Sequence, residues 1–441
     1  MNRVPTGRDS QGGAEITPES LMAAKRFLQP RFVDSGVIHE MRSGCLVACS
    51  SRVSVYGDVE ELNAGSIAGE HIKLAALRIL QEIDGDMLKR VEIELGPISD
   101  VDGDGTFAIF LSHLDCRTSI TDVPIRGVVR SDDFLRRDSD GFGDTLYLDS
   151  RLAVSGQELR ALLAHELAHA SIYSWQSRLI SSGIFGEGSA RDMVPAWMHE
   201  GIAHCMERRI AADSENFQLR REAFFRAPAN APVMPDDAVV PFSERRGGAR
   251  AATTLFLEYL LGPQRSPGVL LDASQSPMRR IEQLSGCSIE QTLQNWTTQQ
   301  AADILSRDKF CLLDSNSQSH LRKNKCPDSK SEQIGGVHIE KIQPAVSATR
   351  LSRTVRGTSA RYFLIPPEIT HIRIHSQQAA CIFASTVARE DNEVVIRLLS
   401  TPEQGSVASA SWTRTGPTLL LPAIPTTIRS ELRANVEAST F

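Results

Sequence analysis

Two histidines and a glutamate within five consecutive positions, His165-Glu166-Leu167-Ala168-His169, are the residues of this 441-residue chain whose types and spacing point most directly to chemistry. On an α-helix, residues i and i+4 share a face, so both imidazoles reach one ion. An H-E-x-x-H on a helix supplies two zinc ligands and a glutamate placed to act as general base. The flanks read as a helix: Leu159, Leu162, Leu163 and Leu167 recur at helical spacing, and no Gly or Pro follows Gly156 until Gly183.

A catalytic zinc takes three protein ligands and keeps a fourth position for water. The extended H-E-x-x-H-x-x-G-x-x-H is closed here, because Ile172 and Trp175 stand where its Gly and His belong. The stretch "VPAWMHEGIAHCMERR", residues 194–209, offers His199, Glu200, His204 and Glu207. His199 and Glu200 are neighbours and point about 100° apart on a helix. Glu200, Ala203, His204 and Glu207 share one face. His204 lies about 6 Å along the axis from Glu200, a span taken here as too long for one ion to use both, and Glu207 lies farther still. A cysteine enzyme built on Cys205 beside His204 is disfavoured by the same 100° divergence of adjacent residues, roughly one helical step.

These residues must be positioned by elements that the periodicity outlines. "CLVACSSRVSVYGD" alternates as a strand, "AGEHIKLAALRILQEI" has helical spacing and "DGD" is expected to end it. "KRVEIELG" and "TFAIFLSHL" read as further strands, and "DTLYLDS" as a strand directly before the H-E-x-x-H helix. From 196 to 306 the pattern is mostly helical, in "AWMHEGIAHCMERRIAA", "ARAATTLFLEYLLG", "PMRRIEQLSG" and "SIEQTLQNWTTQQAADILS". In "SDVDGDGT", Asp100, Asp102, Asp104 and Gly105 imitate the start of a calcium loop. Leu111 stands where the bidentate glutamate of an EF-hand is required, so an Asp/Gly turn is expected, with Ca2+ only a weak alternative.

Composition divides the chain into a flexible polar arm (1–35), an α/β lobe with the H-E-x-x-H helix (36–195), a helical lobe with the third-ligand candidates (196–310), a polar linker (311–336) and a β-rich C-terminal domain (337–441). In that last part "ARYFLIPP", "HIRIHSQ", "CIFASTVAR" and "EVVIRLLS" have strand periodicity, and His371 and His375 share a strand face with no carboxylate pattern beside them. A net charge of −6 and the absence of a basic arm argue against nucleic acid as partner. No apolar run reaches the length of a membrane span. The N-terminus lacks the apolar core of a signal peptide, so a cytoplasmic location is the literal expectation. The eight cysteines are too sparse for a disulfide scaffold and contain no C-x-x-C. Cys311 and Cys326 bracket a polar loop and could pair, with free thiols in a reducing compartment as the equal alternative.

With these residues in view, the chain resembles the gluzincin metallopeptidases, closest to the peptidase-MA-like group and bacterial neutral zinc peptidases with H-E-x-x-H followed by W-x-x-E-G-x-(A/S). The matching positions are His165, Glu166, His169, Trp197, Glu200, Gly201 and Ala203. "DVDGDGTFAIFLSHLD" and "DTLYLDS" resemble the family's upstream turn and strands, and "TTLFLEYLLG" its helix beside the site, so the likeness spans about 45–305. The resemblance implies an α+β fold: a thermolysin-like catalytic domain with a mixed sheet and a helical lobe, here followed by a small all-β C-terminal domain. It implies one Zn2+ held by His165, His169 and Glu200, with Glu166 as general base and Glu207 orienting a zinc histidine. It implies a protein or peptide substrate, and an extracytoplasmic setting as the alternative location. The family's oxyanion-stabilising tyrosine is missing from the matching stretch "SERRGGARAATTLFLEYL", which has none before Tyr259, itself expected in the helix as a core residue; Arg245, Arg246, Arg250 and His204 are the substitutes on offer, with His204 the candidate donor. The exopeptidase G-x-M-x-N strand is also missing, which favours endopeptidase action. The competing expectation is a weakened peptidase fold that serves as a binding or scaffold module.

Overall fold

In the computed structural model of the chain, strand formation begins at Lys25, inside the stretch expected to be a loose arm. The structure describes residues 24–33, 36–114, 125–135, 143–152, 156–183, 194–212, 214–226, 228, 231–234 and 244–306, and beyond them the backbone of strands between 331 and 439. Strand β1 (Lys25–Val33) pairs antiparallel with β2 (Gly36–Cys49), in register from Lys25↔Gly44 to Val33↔Gly36. The arm reading fails at Phe27, which is 1% exposed and stacks on Phe110 with ring centroids 4.4 Å apart. Gly44 makes room for it, since a Cβ there would come within 2.7 Å of the Phe27 ring.

Strand β3 (Val53–Asp58) follows β2 antiparallel after a turn closed by Ser50 N–H on the Val53 carbonyl at 2.8 Å, so the expected single strand is two. Helix α1 (Val59–Asn63) is capped by the Asp58 carboxylate, which accepts from the amides of Glu60 and Glu61. Helix α2 (Ser66–Glu82) does not end at the "DGD": a π-helical turn, Ile83–Met87, carries it into α3 (Leu88–Leu95). The strand expected in "KRVEIELG" is therefore helical. A strand would have grouped Val91, Ile93 and Leu95 on one face; the helix buries Leu88, Val91 and Leu95 and leaves Ile93 71% exposed.

Strands β4 (Phe107–Ser112), β5 (Gly127–Val129) and β6 (Thr145–Asp149), with the short α4 (Ser131–Leu135) between β5 and β6, complete a mixed sheet in the order β1-β2-β3-β4-β6-β5. Strands β3, β4 and β6 run parallel. Both β4 and β6 are buried along their whole length, as expected of near-continuous apolar runs at the centre of a parallel segment. Before β4, Asp100 accepts the amides of Gly103 and Gly105, and Lys25 Nζ lies 2.7 Å from both Asp102 and Asp104. A lysine ammonium thus stands among the carboxylates where the weaker expectation put Ca2+.

The chain divides into two compact units. One contains the six-stranded sheet with α1, α2 and α4; the other contains α3 from Lys89 and everything from Gly156 on. The second unit continues with α5 (Gly156–Ser181), α6 (Ala196–Ile210), α7 (Glu215–Arg226), α8 (Glu244–Leu261), a 3-10 turn (Pro267–Leu271), α9 (Pro277–Ser285) and α10 (Ile289–Ser306). Helix α9 has Ser276 as N-cap and Gly286 at φ +70° as C-cap, the start and stop signals its sequence carries. Beyond it the strands are β7 (Ser331–Ile334), β8 (Val337–Lys341), β9 (Thr349–Val355), β10 (Phe363–Ile365), β11 (His371–Ser376), β12 (Phe383–Glu390), β13 (Glu393–Leu399), β14 (Val407–Ser411), β15 (Thr418–Ala423) and β16 (Leu432–Ser439). They pair in two sheets, β13-β12-β15-β10-β8-β7 and β14-β11-β16-β9. Cys311 and Cys326 lie outside the described residues, as do the side chains of Arg245 and Arg246. Among the described residues no helix is long and apolar enough to cross a membrane. The class is α+β, with a mixed sheet followed by a run of helices and then the two further sheets, the larger of them also mixed through its parallel pair β8–β10.

Candidate metal centre

Helices α5 and α6 pack against each other, and each brings polar side chains to the contact. Helix α5 can lie deep because Ala161, Ala164, Ala168 and Ala170 allow close approach at 0–2% exposure. Two hydrogen bonds fix its depth against the end of α3: Ser171 Oγ donates to the Gly96 carbonyl at 2.6 Å and Arg178 to that of Pro97 at 2.6 Å. Helix α6 starts after Pro195, whose carbonyl accepts from Met198 and His199. It buries Trp197, Met198, Ile202, Cys205 and Met206, yet also buries His199, His204 and Glu207. Gly201 lets α8 approach: a Cβ there would sit 2.6 Å from both Leu257 Cδ1 and Thr253 Cγ2.

The first three expected ligands converge. His165 Nε2 and His169 Nε2 are 3.1 Å apart. His165 Nε2 is 3.8 Å from Glu200 Oε2, and His169 Nε2 is 4.0 Å from Glu200 Oε1. Ligands 2.0–2.1 Å from a tetrahedral zinc are separated by about 3.3 Å, so modest closure would suit such an ion. A second set overlaps the first: one ligand atom each of His165, Glu200 and His204 lie within 4.8 Å of one another. The 6 Å axial step from Glu200 to His204, argued above to separate them, is the same step that joins His165 to His169, and the side chains close it.

Around these atoms the chain supplies orienting groups. Glu207 Oε2 lies 2.7 Å from His204 Nδ1 and 3.6 Å from His165 Nδ1, while its Oε1 accepts from Ser214 Oγ at 2.5 Å. His169 Nδ1 lies 2.7 Å from His199 Nδ1. Arg250 Nη1, on α8, lies 3.2 Å from Glu200 Oε2. Even so, Glu200 Oε2, His165 Nδ1, His199 Nε2 and His204 Nε2 are buried without a hydrogen-bond partner among the described residues. Each such atom costs about 1–3 kcal/mol when left unsatisfied. Glu200 Oε2 and His204 Nε2 belong to residues of the His165–Glu200–His204 cluster, and a nitrogen and carboxylate donor set of that kind fits a divalent ion of zinc's ligand preference.

The proton affinities agree. Burial depresses His169 strongly, aided by His165 and His199, and burial lowers His199 and His204 to about 4, so these rings stay neutral. Burial would raise Glu200, but Arg250 and the neighbouring imidazoles outweigh it and hold it below the usual carboxylate range. Glu207 is likewise depressed against its burial by His165 and His204. Burial would lower His165, but Glu207, Glu166 and Glu200 together raise it. Glu166, 5% exposed, is pushed up to about 7 by burial, with Glu200 and Glu207 adding to the effect.

Two residues at the site, Tyr173 and Arg220, escaped the sequence reading, and a third, His199, has a contact it did not foresee. Tyr173 packs on His199 with ring centroids 4.5 Å apart. It stands four residues after His169, so helical spacing alone could have flagged it. Arg220, on α7, is lowered to about 10 by burial and by Arg250, with Glu200 and Glu207 opposing, which places it in the field of the site. His199 was set aside as Glu200's neighbour, and its ring turns to His169 instead. Tyr259 is 38% exposed on α8 rather than core. Compared with protein-family models and with curated proteins, the chain matches none of either.

Proposed function

We propose that the protein is a zinc-dependent peptidase of the gluzincin type, acting as an endopeptidase on protein or peptide chains. The observation that carries this is the approach of His165 Nε2 to His169 Nε2 at 3.1 Å and of the Glu200 carboxylate to both, Oε2 at 3.8 Å from His165 and Oε1 at 4.0 Å from His169, with Glu166 buried on the same helix as the two histidines. His165, His169 and Glu200 would hold the ion, two neutral imidazoles and one carboxylate leaving it a net charge of +1. When bound, zinc supplies a Lewis acid that acidifies water and polarises a carbonyl. Glu166 takes the proton of the attacking water and delivers it to the leaving amine; an affinity near neutrality suits both transfers. Glu207 fixes the imidazoles from behind, and Arg250 keeps Glu200 ionised. The same reading treats the helical lobe and preceding sheet as a thermolysin-like catalytic domain, and residues 337–441 as a separate β domain.

Metal analysis of the purified chain beside His165→Ala, run with casein hydrolysis by wild type and Glu166→Gln, tests the proposal. One zinc per wild-type chain, lost in His165→Ala, with hydrolysis lost in Glu166→Gln, is the expected result. A zinc-loaded wild type that hydrolyses nothing would favour the second reading, a metal-dependent binding or scaffold module. That reading draws on His204, whose presence in the cluster leaves less room for a substrate water.

A further inference from the structure

Helix α6 repeats the geometry of α5. Glu200 and His204 are four residues apart on its inner face, as His165 and His169 are on α5. Their ligand atoms lie within 4.8 Å of each other and of His165. The His165 and His204 rings are 4.4 Å apart between centroids.

The hydrogen bonds of His204 settle which of its nitrogens carries the proton. Glu207 accepts from Ser214 Oγ through Oε1, and its Oε2 lies 2.7 Å from His204 Nδ1. With Glu207 ionised it can only accept, so a neutral His204 ring carries its proton on Nδ1 and a lone pair on Nε2. That Nε2 is buried and has no partner among the described residues. A carboxylate behind an imidazole, with the opposite nitrogen bare, is the arrangement that prepares a metal-ligating histidine. In that tautomer the nitrogen opposite Glu207 has no hydrogen to give an oxyanion, so the ligand role competes with the donor role expected of His204 from the sequence.

We propose that His204 is a fourth ligand to the metal, joining His165, His169 and Glu200 through Nε2. Two i,i+4 pairs, one per helix, then enclose the ion. The proposal rests on the zinc reading above and changes its consequence. Four protein ligands close a tetrahedral site and leave no position for water. Hydrolysis therefore requires His204 to withdraw, and the resting chain holds its metal in a latent state.

The test uses the full chain, Zn2+ and Co2+ as probes, and the variants His204→Ala and His204→Gln. Both variants should bind Zn2+ more than about 100-fold more weakly than wild type, beyond the 10–100-fold typical of losing an orienting group. At saturating Co2+ their visible absorption should shift as water replaces an imidazole, and hydrolysis per bound zinc should rise. Thermal unfolding of the metal-free chains separates a ligand from a packing residue: equal midpoints for wild type and His204→Gln are expected. Variants that bind zinc as tightly as wild type, with an unchanged cobalt spectrum, would overturn the proposal while leaving the zinc peptidase intact. A wild-type chain that binds no zinc would sink both.

Discussion

His169 and His199 meet Nδ1 to Nδ1 at 2.7 Å, a contact between the last residue of the H-E-x-x-H and the residue before Glu200. If Nε2 of His169 faces an ion beside His165, its proton sits on Nδ1 and is donated to His199. His199 then carries its own proton on Nε2. The pair does for His169 what the Glu207 carboxylate does for His204. His199→Phe keeps the ring and removes the acceptor, so zinc affinity should fall about 10–100-fold. Competition against a chromogenic chelator measures it, and an unchanged affinity would remove His199 from the site.

Glu166→Gln is nearly isosteric and alters no proposed ligand. Metal content should stay at the wild-type value while hydrolysis of casein falls about 10²–10⁴-fold, the usual contribution of a general base. Equal rates for the two proteins at equal zinc occupancy would assign the base elsewhere.

The candidate ligands on α5 were legible because helical spacing is local information: His165 and His169 share a face wherever the helix packs. Glu200 needed the resemblance, since four residues on α6 competed and the sequence holds no crossing geometry. His204 was misjudged on axial distance, because side-chain reach was left out of the estimate. The contacts that decide the electrostatics, Arg250 on Glu200 and His199 on His169, join helices far apart in sequence and leave no periodic trace. Among the elements, β4 and β6 were plain as apolar runs. The helical α3 was missed because "VEIEL" alternates as well as any strand, and a π-helical turn carried the preceding helix through an Asp-Gly-Asp that reads as a stop. Strand β1 was missed because its only large fully buried aromatic, Phe27, is set among charged residues.

Asp133 should make a contribution to stability that falls as pH rises from 4 to 8. It is fully buried on α4, and burial lifts its carboxyl to about 7 despite the Arg130 guanidinium 3.0 Å away. Between the unfolded value near 3.9 and the folded value the native state binds the extra proton. The stabilisation is complete below the unfolded value and is lost as pH rises through the folded one, with a slope of at most about 1.4 kcal/mol per pH unit. Asp144, also raised to about 7 by burial, adds a term of the same sign. Asp133→Asn cannot titrate, so its unfolding midpoint should decline less over this range. Parallel wild-type and variant profiles would show that Asp133 does not carry the effect.

Gly201→Ala tests whether the fit of α6 against α8 sets the site. In an unconstrained helix interior the change gains up to about 1 kcal/mol. Here the new Cβ would come within 2.6 Å of Leu257 Cδ1 and Thr253 Cγ2. The leucine can change rotamer. Thr253 cannot readily turn, because its hydroxyl bonds both the Val233 and the Ala249 carbonyl. Helix α6 must therefore shift, at a typical overpacking cost of about 1–3 kcal/mol. It carries Glu200 and His204 with it, away from His165 and His169 on α5. The expected outcome is a lower unfolding midpoint together with weaker zinc binding. A variant that gains stability and binds zinc as wild type does would show that the interface yields without moving the ligands.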